Sequence, residues 1–272
     1  MEFFRKYFHG PEFTLYPLGD LHLGSKQFNE SFVRQVINEI KDNDKATWIG
    51  MGDLLENALI GSKSDVYTQT MPPTEQANYV CELLDPIKGK GLFLIAGNHE
   101  QRTMRAAGFI PEQYIAARLG IPYLGFSAFA YLTVKECKGP NSFVLYFHHN
   151  YGGGYTKGGK INRADQLRKI APAADAIFSG HFHITSRTPT TWFDCTRTGI
   201  ITRIGYDYIT GSALEYKGSY AEERAKPAAT CEFISVTFRG GTNGHFDSRE
   251  QIYKVITPIC FEKCSPQFLE ST

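Results

Sequence analysis

The sequence predicts an α/β fold, and three observations lead to that prediction. Through the first two-thirds of the chain, short apolar runs alternate with stretches that have amphipathic helical spacing. Five of the apolar runs end in polar residues of a restricted kind, namely Asp, Asn or His. After about residue 185 the helical spacing disappears and strand-like runs remain. Because strands that alternate with helices form a sheet covered by those helices, we expect an α/β protein.

The strand predictions come from the apolar runs. Five runs in the first part of the chain are bounded by turn-forming residues, and they cover residues 13–18, 47–51, 92–96, 143–147 and 176–178. Two later runs, 230–238 and 251–256, have the same character. No repeat or low-complexity linker separates the two parts, so we expect a single domain over residues 1–272.

Helices are predicted between these strands. The first has Asn29 as a candidate N-cap and carries its apolar residues on one face, namely Phe32, Val33, Val36, Ile37 and Ile40. A second helix is expected over residues 74–87. A third should begin near Pro111 and end at Gly120, and a fourth should begin at Asn162.

Composition excludes several classes of protein. The 272 residues include 29 Lys and Arg against 28 Asp and Glu, so a polyanion-binding field over the whole surface is excluded, while local basic patches are not. No apolar stretch approaches the roughly 20 residues of a membrane-spanning helix, and no signal peptide is recognisable. The six cysteines are scattered, and we expect reduced thiols and a cytoplasmic protein. The Cys260 and Cys264 pair is a weak candidate for a metal site or a disulfide.

The polar residues that end the five runs are candidate metal ligands. They are Asp20, His22, Asp53, Asn98, His99, His148, His149, His181 and His183. Open α/β sheets build their sites beyond the carboxyl ends of strands, so these side chains should converge. Asp, Asn and His together suit Mn, Fe, Zn or Ni, and so many ligands suit two ions. Asp53 is the natural bridging carboxylate, and two ions can clamp a phosphate and share a hydroxide nucleophile.

These motifs resemble those of the calcineurin-like metallophosphoesterases. The resemblance rests on Asp20-x-His22, Gly52-Asp53, Gly97-Asn98-His99-Glu100, a strand-terminal His and Gly180-His181-x-His183. It implies a four-layer α/β/β/α sandwich with two mixed β-sheets. Members carried by bacteriophages and prophages are the most similar, because of the glycines and basic residues between Gly152 and Arg163 and the later Tyr220-Ala221-Glu222 stretch.

The resemblance also implies a role for each residue. One metal would be held by Asp20, His22, Asp53 and His183, and the second by Asp53, Asn98, His181 and a histidine of the fourth motif. The fourth motif offers two adjacent histidines, His148 and His149. Neighbouring strand residues point to opposite faces, so only one of the two should bind a metal. We favour His148, which closes the apolar run, over His149. His99 would act on the phosphate and, with Asp53, carry catalysis. Manganese is the first expectation for the two divalent ions, with Zn, Fe and Ni as alternatives.

Two glutamates near these motifs have open roles. Glu100 either orients His99 or makes another hydrogen bond that supports the site, with a solvated charge as the alternative, and the same alternatives hold for Glu56, one helical turn beyond Asp53.

A basic, glycine-rich stretch is the candidate substrate side. Five glycines lie between residues 152 and 160, and the candidate substrate-binding residues are Arg102, Lys157, Lys160 and Arg163. We expect this side to bind a phosphate or a nucleic-acid backbone, with a flexible loop and a solvated helix face as the alternative. The spacing from Gly154 to Lys160 also matches a P-loop, but Ile161 stands where a metal-binding Ser or Thr is required.

The expected function is metal-dependent hydrolysis of phosphoester bonds. We expect a phosphodiesterase or nuclease-like activity on nucleotides or nucleic acid, with no membrane partner and with the oligomeric state left open. A phosphomonoesterase is the alternative within the same chemistry. A non-catalytic binding module of the same fold is the alternative from another class, and the complete set of motif residues argues against it.

Overall fold

The computed structural model describes residues 1–62, 64, 66–139, 141–223, 225, 231–242 and 249–259. Its strands are β1 (Glu2–Phe8), β2 (Glu12–Leu18), β3 (Ala46–Gly50), β4 (Gly91–Leu94), β5 (Ser127–Val134), β6 (Ser142–His148), β7 (Ala176–Ser179), β8 (Thr185–Thr196), β9 (Gly199–Ser212), β10 (Glu232–Arg239) and β11 (Glu250–Ile256). Its α-helices are α1 (Glu30–Asp42), α2 (Pro73–Leu84), α3 (Glu100–Ala107), α4 (Pro111–Leu119), α5 (Lys157–Asp165) and α6 (Tyr220–Glu223).

The strands form two mixed sheets that are joined at one corner. The first sheet has the order β1-β5-β6-β7-β9, with β8 on the other edge of β9. The second has the order β10-β2-β3-β4, with β11 also paired to β10. The sheets join where Glu232 and Phe233 of β10 pair with Ser212 and Gly211 of β9. Strands β2, β3 and β4 are parallel to one another, and so are β6, β7 and β9, so their carboxyl ends lie at common edges.

The two sheets pack face to face, with helices on both outer sides. The core between the sheets contains residues from both of them, for example Phe13 and Ile49 against Phe147 and Phe178. A second apolar cluster lies between the β2–β3–β4 sheet and helices α1, α2 and α4. Smaller clusters lie on the outer side of the other sheet, among them the one beneath α5. This arrangement confirms the predicted four-layer sandwich with mixed sheets.

Local sequence signals explain most element boundaries. Asn29 Oδ1 accepts a hydrogen bond from Phe32 N at 2.9 Å, so the predicted N-cap of α1 is confirmed. Helix α5 begins at Lys157, earlier than the predicted Asn162, because Thr156 Oγ1 accepts a hydrogen bond from Gly159 N and caps the helix there. No predicted run or helix covers β1, β5, β8, β9 or α3, although β8 and β9 fall in the part of the chain expected to be mostly strands.

Some predictions concern parts of the chain outside this description. The Cys260 and Cys264 pair lies outside the described residues, as does the first residue of the run predicted over 230–238. No helix among the described residues is both long enough and apolar enough to cross a lipid bilayer.

Candidate metal centre

The strand ends bring the predicted ligands together at one edge of the molecule. Among the described residues, three groups of side chains are close enough to hold an ion, and within each group the ligand atoms lie within 4.8 Å of one another. The groups are Asp20, His22 and His183; Asp53, His149 and His181; and His22, Asp53 and His99. All of these residues follow directly after β2, β3, β4, β6 or β7. The convergence follows from the parallel strand order, since parallel strands end at the same edge.

The first group surrounds one point between three side chains. His22 Nε2 and His183 Nε2 are 3.1 Å apart, and His183 Nε2 is 3.2 Å from Asp20 Oδ1. Asp20 Oδ2 accepts a hydrogen bond from His181 N at 2.7 Å. The other oxygen, Oδ1, is buried and has no hydrogen-bond partner among the described residues. A buried carboxylate oxygen that faces two imidazole nitrogens fits a bound divalent cation.

The second group lies on the other side of Asp53. His149 Nε2 is 3.1 Å from Asp53 Oδ2 and 3.2 Å from Asn98 Oδ1. The same Asp53 oxygen is 4.0 Å from His22 Nε2 in the first group. Asp53 therefore lies between the two groups, which is the position required of a carboxylate that bridges two ions.

The outer nitrogens of two histidines have partners that turn their inner nitrogens towards the cluster. His149 Nδ1 is 2.8 Å from the carbonyl oxygen of Met51, and His181 Nε2 is 2.5 Å from that of Gly152. A ring N–H that donates to a carbonyl oxygen leaves the lone pair on the other nitrogen, a pattern typical of metal-binding histidines. His22 Nδ1 lies 3.2 Å from Glu56 Oε2, a charge contact without hydrogen-bond geometry. Glu56 is therefore a neighbour of His22 and not a solvated charge.

The fourth-motif histidine in the cluster is His149, which corrects the preference for His148. Strand β6 alternates its faces, so that Leu145 and Phe147 pack between the sheets and Tyr146 packs on the outer side. His149 continues the inner series. His148 continues the outer one, and its Nδ1 accepts a hydrogen bond from Asn150 N at 2.7 Å. Closing the apolar run was therefore a weaker guide than the parity of the strand.

Metal content should separate these two histidines. We expect His149→Ala to lower the bound metal from about two ions to about one per chain, because one of the two candidate sites loses an imidazole. We expect His148→Ala to leave the content unchanged, and it is the matched control because it removes the neighbouring ring. Elemental analysis of both variants after loading with manganese makes the comparison. The reverse pattern would restore His148 as the ligand.

Five candidate ligands share a left-handed backbone conformation that side chains rarely adopt. The φ angles are 49° at Asp20, 50° at His22, 49° at Asp53, 73° at His181 and 51° at His183. Each such residue costs about 1–2 kcal/mol. Strain of this kind clusters at functional sites, where the surrounding structure enforces it. The repeated strain at the candidate ligands indicates that the surrounding structure holds these side chains in place for a function at this edge of the sheets.

Two glycines in the motifs allow the strand ends to approach one another closely. A Cβ on Gly97 would lie 2.0 Å from Asp53 N, and one on Gly180 would lie 2.8 Å from Asp20 Oδ2. A methyl group fits at neither position. Glycine is required at both because the backbone there lies against the loops that carry the candidate ligands.

The electrostatics of the cluster favour cations. Burial opposes the charged form of His22, but the nearby carboxylates of Asp20 and Glu56 raise its pKa to about 10. Burial likewise opposes the charged form of His149, and Asp53 and Asp20 raise its pKa to about 9. His99 differs, because burial lowers its pKa to about 4. The carboxylates thus stabilise positive charge between the strand ends, where divalent ions would replace protons.

Two buried glutamates hold the backbone around Asp53 and Gly97. Glu100 Oε2 accepts from Asp53 N at 3.1 Å, and its Oε1 accepts from Leu55 N at 3.0 Å. Glu112 Oε1 accepts from Gly97 N at 2.9 Å. Glu100 is therefore a positioning residue and not a solvated charge. Glu112 carries no sequence signal of this role, because an acid in the first turn of a helix is ordinarily an exposed residue favoured by the helix dipole.

The buried Glu112 predicts a pH-dependent effect on stability. Burial and the neighbouring Glu100 raise the pKa of Glu112 to about 10, so the folded protein keeps this carboxyl neutral while the unfolded chain ionises it. The contribution of Glu112 to stability should therefore fall as pH rises above the ordinary glutamate pKa. The Glu112→Gln variant cannot ionise at this position. Its free energy of unfolding, relative to that of the wild type at the same pH, should increase by about 1.4 kcal/mol per pH unit between about pH 5 and pH 8.

Urea unfolding at several pH values measures this slope. The matched control is Glu75→Gln, which changes an exposed glutamate in the first turn of α2 and should show no growing difference. A difference between Glu112→Gln and the wild type that stays constant with pH would contradict the assignment of a neutral buried carboxyl.

The predicted substrate-side residues lie in two places. Arg102 is half-buried on α3, and its Nη1 donates to Glu56 O and to Ser64 Oγ, both at 3.0 Å, so it holds the loop after Asp53. Lys157, Lys160 and Arg163 lie on α5, which follows the glycine loop. The Arg163 guanidinium stacks on the ring of Tyr151, 5.1 Å from its centroid. Through Gly152, whose carbonyl meets His181, this loop borders the cluster.

A search of solved structures finds matches to this chain at low sequence identity. A conserved uncharacterized protein of Streptococcus pneumoniae TIGR4, described as a predicted phosphoesterase, is 12% identical with a TM-score of 0.35, covering 89% of this chain and 98% of that one. GAP50, the anchor in the inner membrane complex of Plasmodium, is 10% identical with a TM-score of 0.47, covering 91% of this chain and 85% of that one. The calcineurin-like phosphoesterase YfkN of Bacillus subtilis is 10% identical with a TM-score of 0.40, covering 90% and 91%.

No curated protein matches the chain. A family model, in contrast, matches residues 14–185, a segment that begins in β2 and ends just after His183. It contains every strand end that contributes to the cluster, and it spans more than half of the chain. The chain belongs to the calcineurin-like phosphoesterase family.

Proposed function

We propose that this protein hydrolyses phosphodiester bonds of nucleotides or nucleic acid with the help of two divalent metal ions, manganese being the first expectation. One observation carries the proposal: two groups of inward-facing donor atoms lie on either side of Asp53, whose Oδ2 lies 3.1 Å from His149 Nε2 and 4.0 Å from His22 Nε2. A single ion would contact the donor atoms of only one of these groups.

The donor set divides into two sites that share Asp53. Asp20, His22 and His183 would hold one ion, and Asn98, His149 and His181 the other. When bound, such ions polarise phosphoryl oxygens and make hydroxide available near neutral pH. Imidazole, carboxylate and amide donors without thiolate suit Mn, Fe, Zn or Ni.

His99 is placed to assist the reaction beside the cluster. Its Nδ1 is 2.8 Å from the carbonyl oxygen of Glu56, which fixes the ring, and its Nε2 is 3.9 Å from Asp53 Oδ2. In hydrolysis, the oxygen of water forms a bond to phosphorus, the ester P–O bond breaks, and the leaving oxygen takes up a proton. His99 would donate or share that proton, since the negative charge of a bound phosphoester favours the protonated imidazole.

The basic side chains of α5 support a polyanionic or nucleotide substrate. Lys157 is exposed at the first turn of this helix, and Arg163 lies above the loop that borders His181. The net charge of +1 means that such attraction is local to the site. The resemblance to bacteriophage members stays a prediction.

Metal analysis and two model substrates test the proposal together. We expect about two ions per chain after manganese loading, and hydrolysis of bis(p-nitrophenyl) phosphate. Cleavage of p-nitrophenyl phosphate alone would replace the diesterase by a phosphomonoesterase. Failure to bind metal and to cleave either compound with Mn, Zn or Ni would favour a binding module of this fold.

A further inference from the structure

We propose that the exposed ring of Tyr151 is a stacking platform for the base of a nucleotide whose phosphate lies at the metal centre. This inference rests on the proposed function and deepens it, because it names the part of the substrate that the protein recognises besides the phosphate. The residue types that stack on bases are aromatic rings and guanidinium planes, and one of each is paired here.

Chain connectivity places this ring beside the metal centre. Tyr151 is two residues beyond His149, so their Cα atoms are at most about 7.6 Å apart. The intervening Asn150 is buried and has a left-handed φ of 76°, and its Oδ1 accepts a hydrogen bond from Tyr151 N at 2.9 Å. The chain therefore turns sharply after His149. Tyr151 lies at the surface beside the site, with 63% of its surface exposed.

A guanidinium covers one face of the Tyr151 ring, and most of the residue is exposed to solvent. The Arg163 guanidinium covers one face at 5.1 Å from the ring centroid. Gly152 makes room for this contact, since a Cβ there would lie 3.1 Å from Arg163 Nη2. The carbonyl oxygen of Gly152 lies 2.5 Å from His181 Nε2, within hydrogen-bond distance. The residue next to Tyr151 therefore contacts a second candidate ligand.

A fixed ring is suited to recognition of a base. Tyrosine has few rotatable bonds, and the stacked guanidinium restrains them further, so little conformational entropy remains to be lost on binding. Every base has a π face, so the platform favours nucleotides in general and not one sequence. In a nucleotide only the sugar separates phosphate from base, which matches a platform next to the ligands.

Two esters with the same leaving group test the platform in the manganese-loaded protein. They are the p-nitrophenyl ester of thymidine 5′-monophosphate and methyl p-nitrophenyl phosphate, which differ in the nucleoside alone. We expect the wild type to prefer the nucleoside ester in kcat/KM, and Tyr151→Ala to reduce that preference by about 5- to 100-fold. Tyr151→Phe should keep the preference, since the stacking face remains.

Tyr155→Ala is the matched control. Tyr155 lies in the same loop and is 65% exposed, but its hydroxyl is directed to the carbonyl of Ala225, 3.3 Å away. We expect this variant to retain the preference. The inference is overturned if the wild type does not distinguish the two esters, if Tyr151→Ala retains the preference, or if Tyr155→Ala loses it equally. In each of those cases the hydrolysis itself would still support the proposed function.

A binding measurement separates the two failures. Calorimetry on the manganese-loaded protein compares adenosine 5′-monophosphate with ribose 5-phosphate, and it measures binding instead of turnover. We expect tighter binding of the nucleotide by the wild type, and a loss of that difference in Tyr151→Ala. If neither ester is hydrolysed, the proposed function fails, and equal binding of the two ligands would overturn the platform as well.

Discussion

Asp53→Asn should remove most of the bound metal and nearly all of the activity. We expect the metal content to fall from about two ions to less than one per chain. Turnover should fall by about 10³-fold or more, because a loss of several kcal/mol of charge stabilisation corresponds to that factor. The reason lies in the position of one oxygen. Asp53 Oδ2 faces His149 on one side and His22 on the other, so a single neutral substitution affects both groups.

The same substitution should preserve the fold. Asp53 Oδ1 accepts a hydrogen bond from His99 N at 2.8 Å, and an asparagine oxygen in that place can accept it equally. Circular dichroism and thermal unfolding would confirm that the variant is folded, and Asp44→Asn, at an exposed aspartate, is the matched control. If Asp53→Asn retained two ions and full activity, the shared role of Asp53 would be wrong.

Much of the fold was predictable from local signals. Apolar runs and helical spacing located β2, β3, β4, β6 and β7, and the ends of these strands carry the candidate metal ligands. The missed elements have physical explanations. Strand β1 exposes Phe3 and Tyr7 and carries charges between them, so it lacks the alternation of a half-buried strand. Helix α3 buries few residues, and its short sequence is mostly polar.

The convergence of the candidate ligands was predictable from the sequence, and the detail of the cluster less so. Residue types at strand ends indicated which side chains converge, because sheet topology brings parallel strand ends together. The choice between His148 and His149 depended on which face of β6 is turned to the other sheet, and that is a property of packing. Glu112 gave no sequence signal, since its burial results from the approach of α4 to the loop that contains Gly97.

The distinction between ligand and catalytic residue is sharpest at His99. Its Nε2 is 3.9 Å from Asp53 Oδ2, and His22, Asp53 and His99 form one of the three close groups, so geometry alone also admits it as a ligand. Burial lowers the pKa of His99 to about 4, whereas the pKa values of His22 and His149 are raised. Burial lowers the pKa of His181 as well, so the pKa alone does not separate ligand from catalytic residue. A neutral ring beside the cluster suits a role that begins when a phosphate arrives, because the negative charge of the phosphate favours the protonated ring.

His99→Ala should therefore slow turnover by about 10²–10⁴-fold and leave about two ions bound. The loss should be larger for esters with a poor leaving group, such as an alkyl phosphodiester, than for p-nitrophenyl esters, because only the poor leaving group needs a proton. His148→Ala, which removes a half-buried ring outside the cluster, is the control for general effects of losing an imidazole. Metal analysis and kinetics on the same preparations decide the question. A metal content that falls together with activity in His99→Ala would identify His99 as a ligand, and an equal loss for both leaving groups would exclude it as the proton donor.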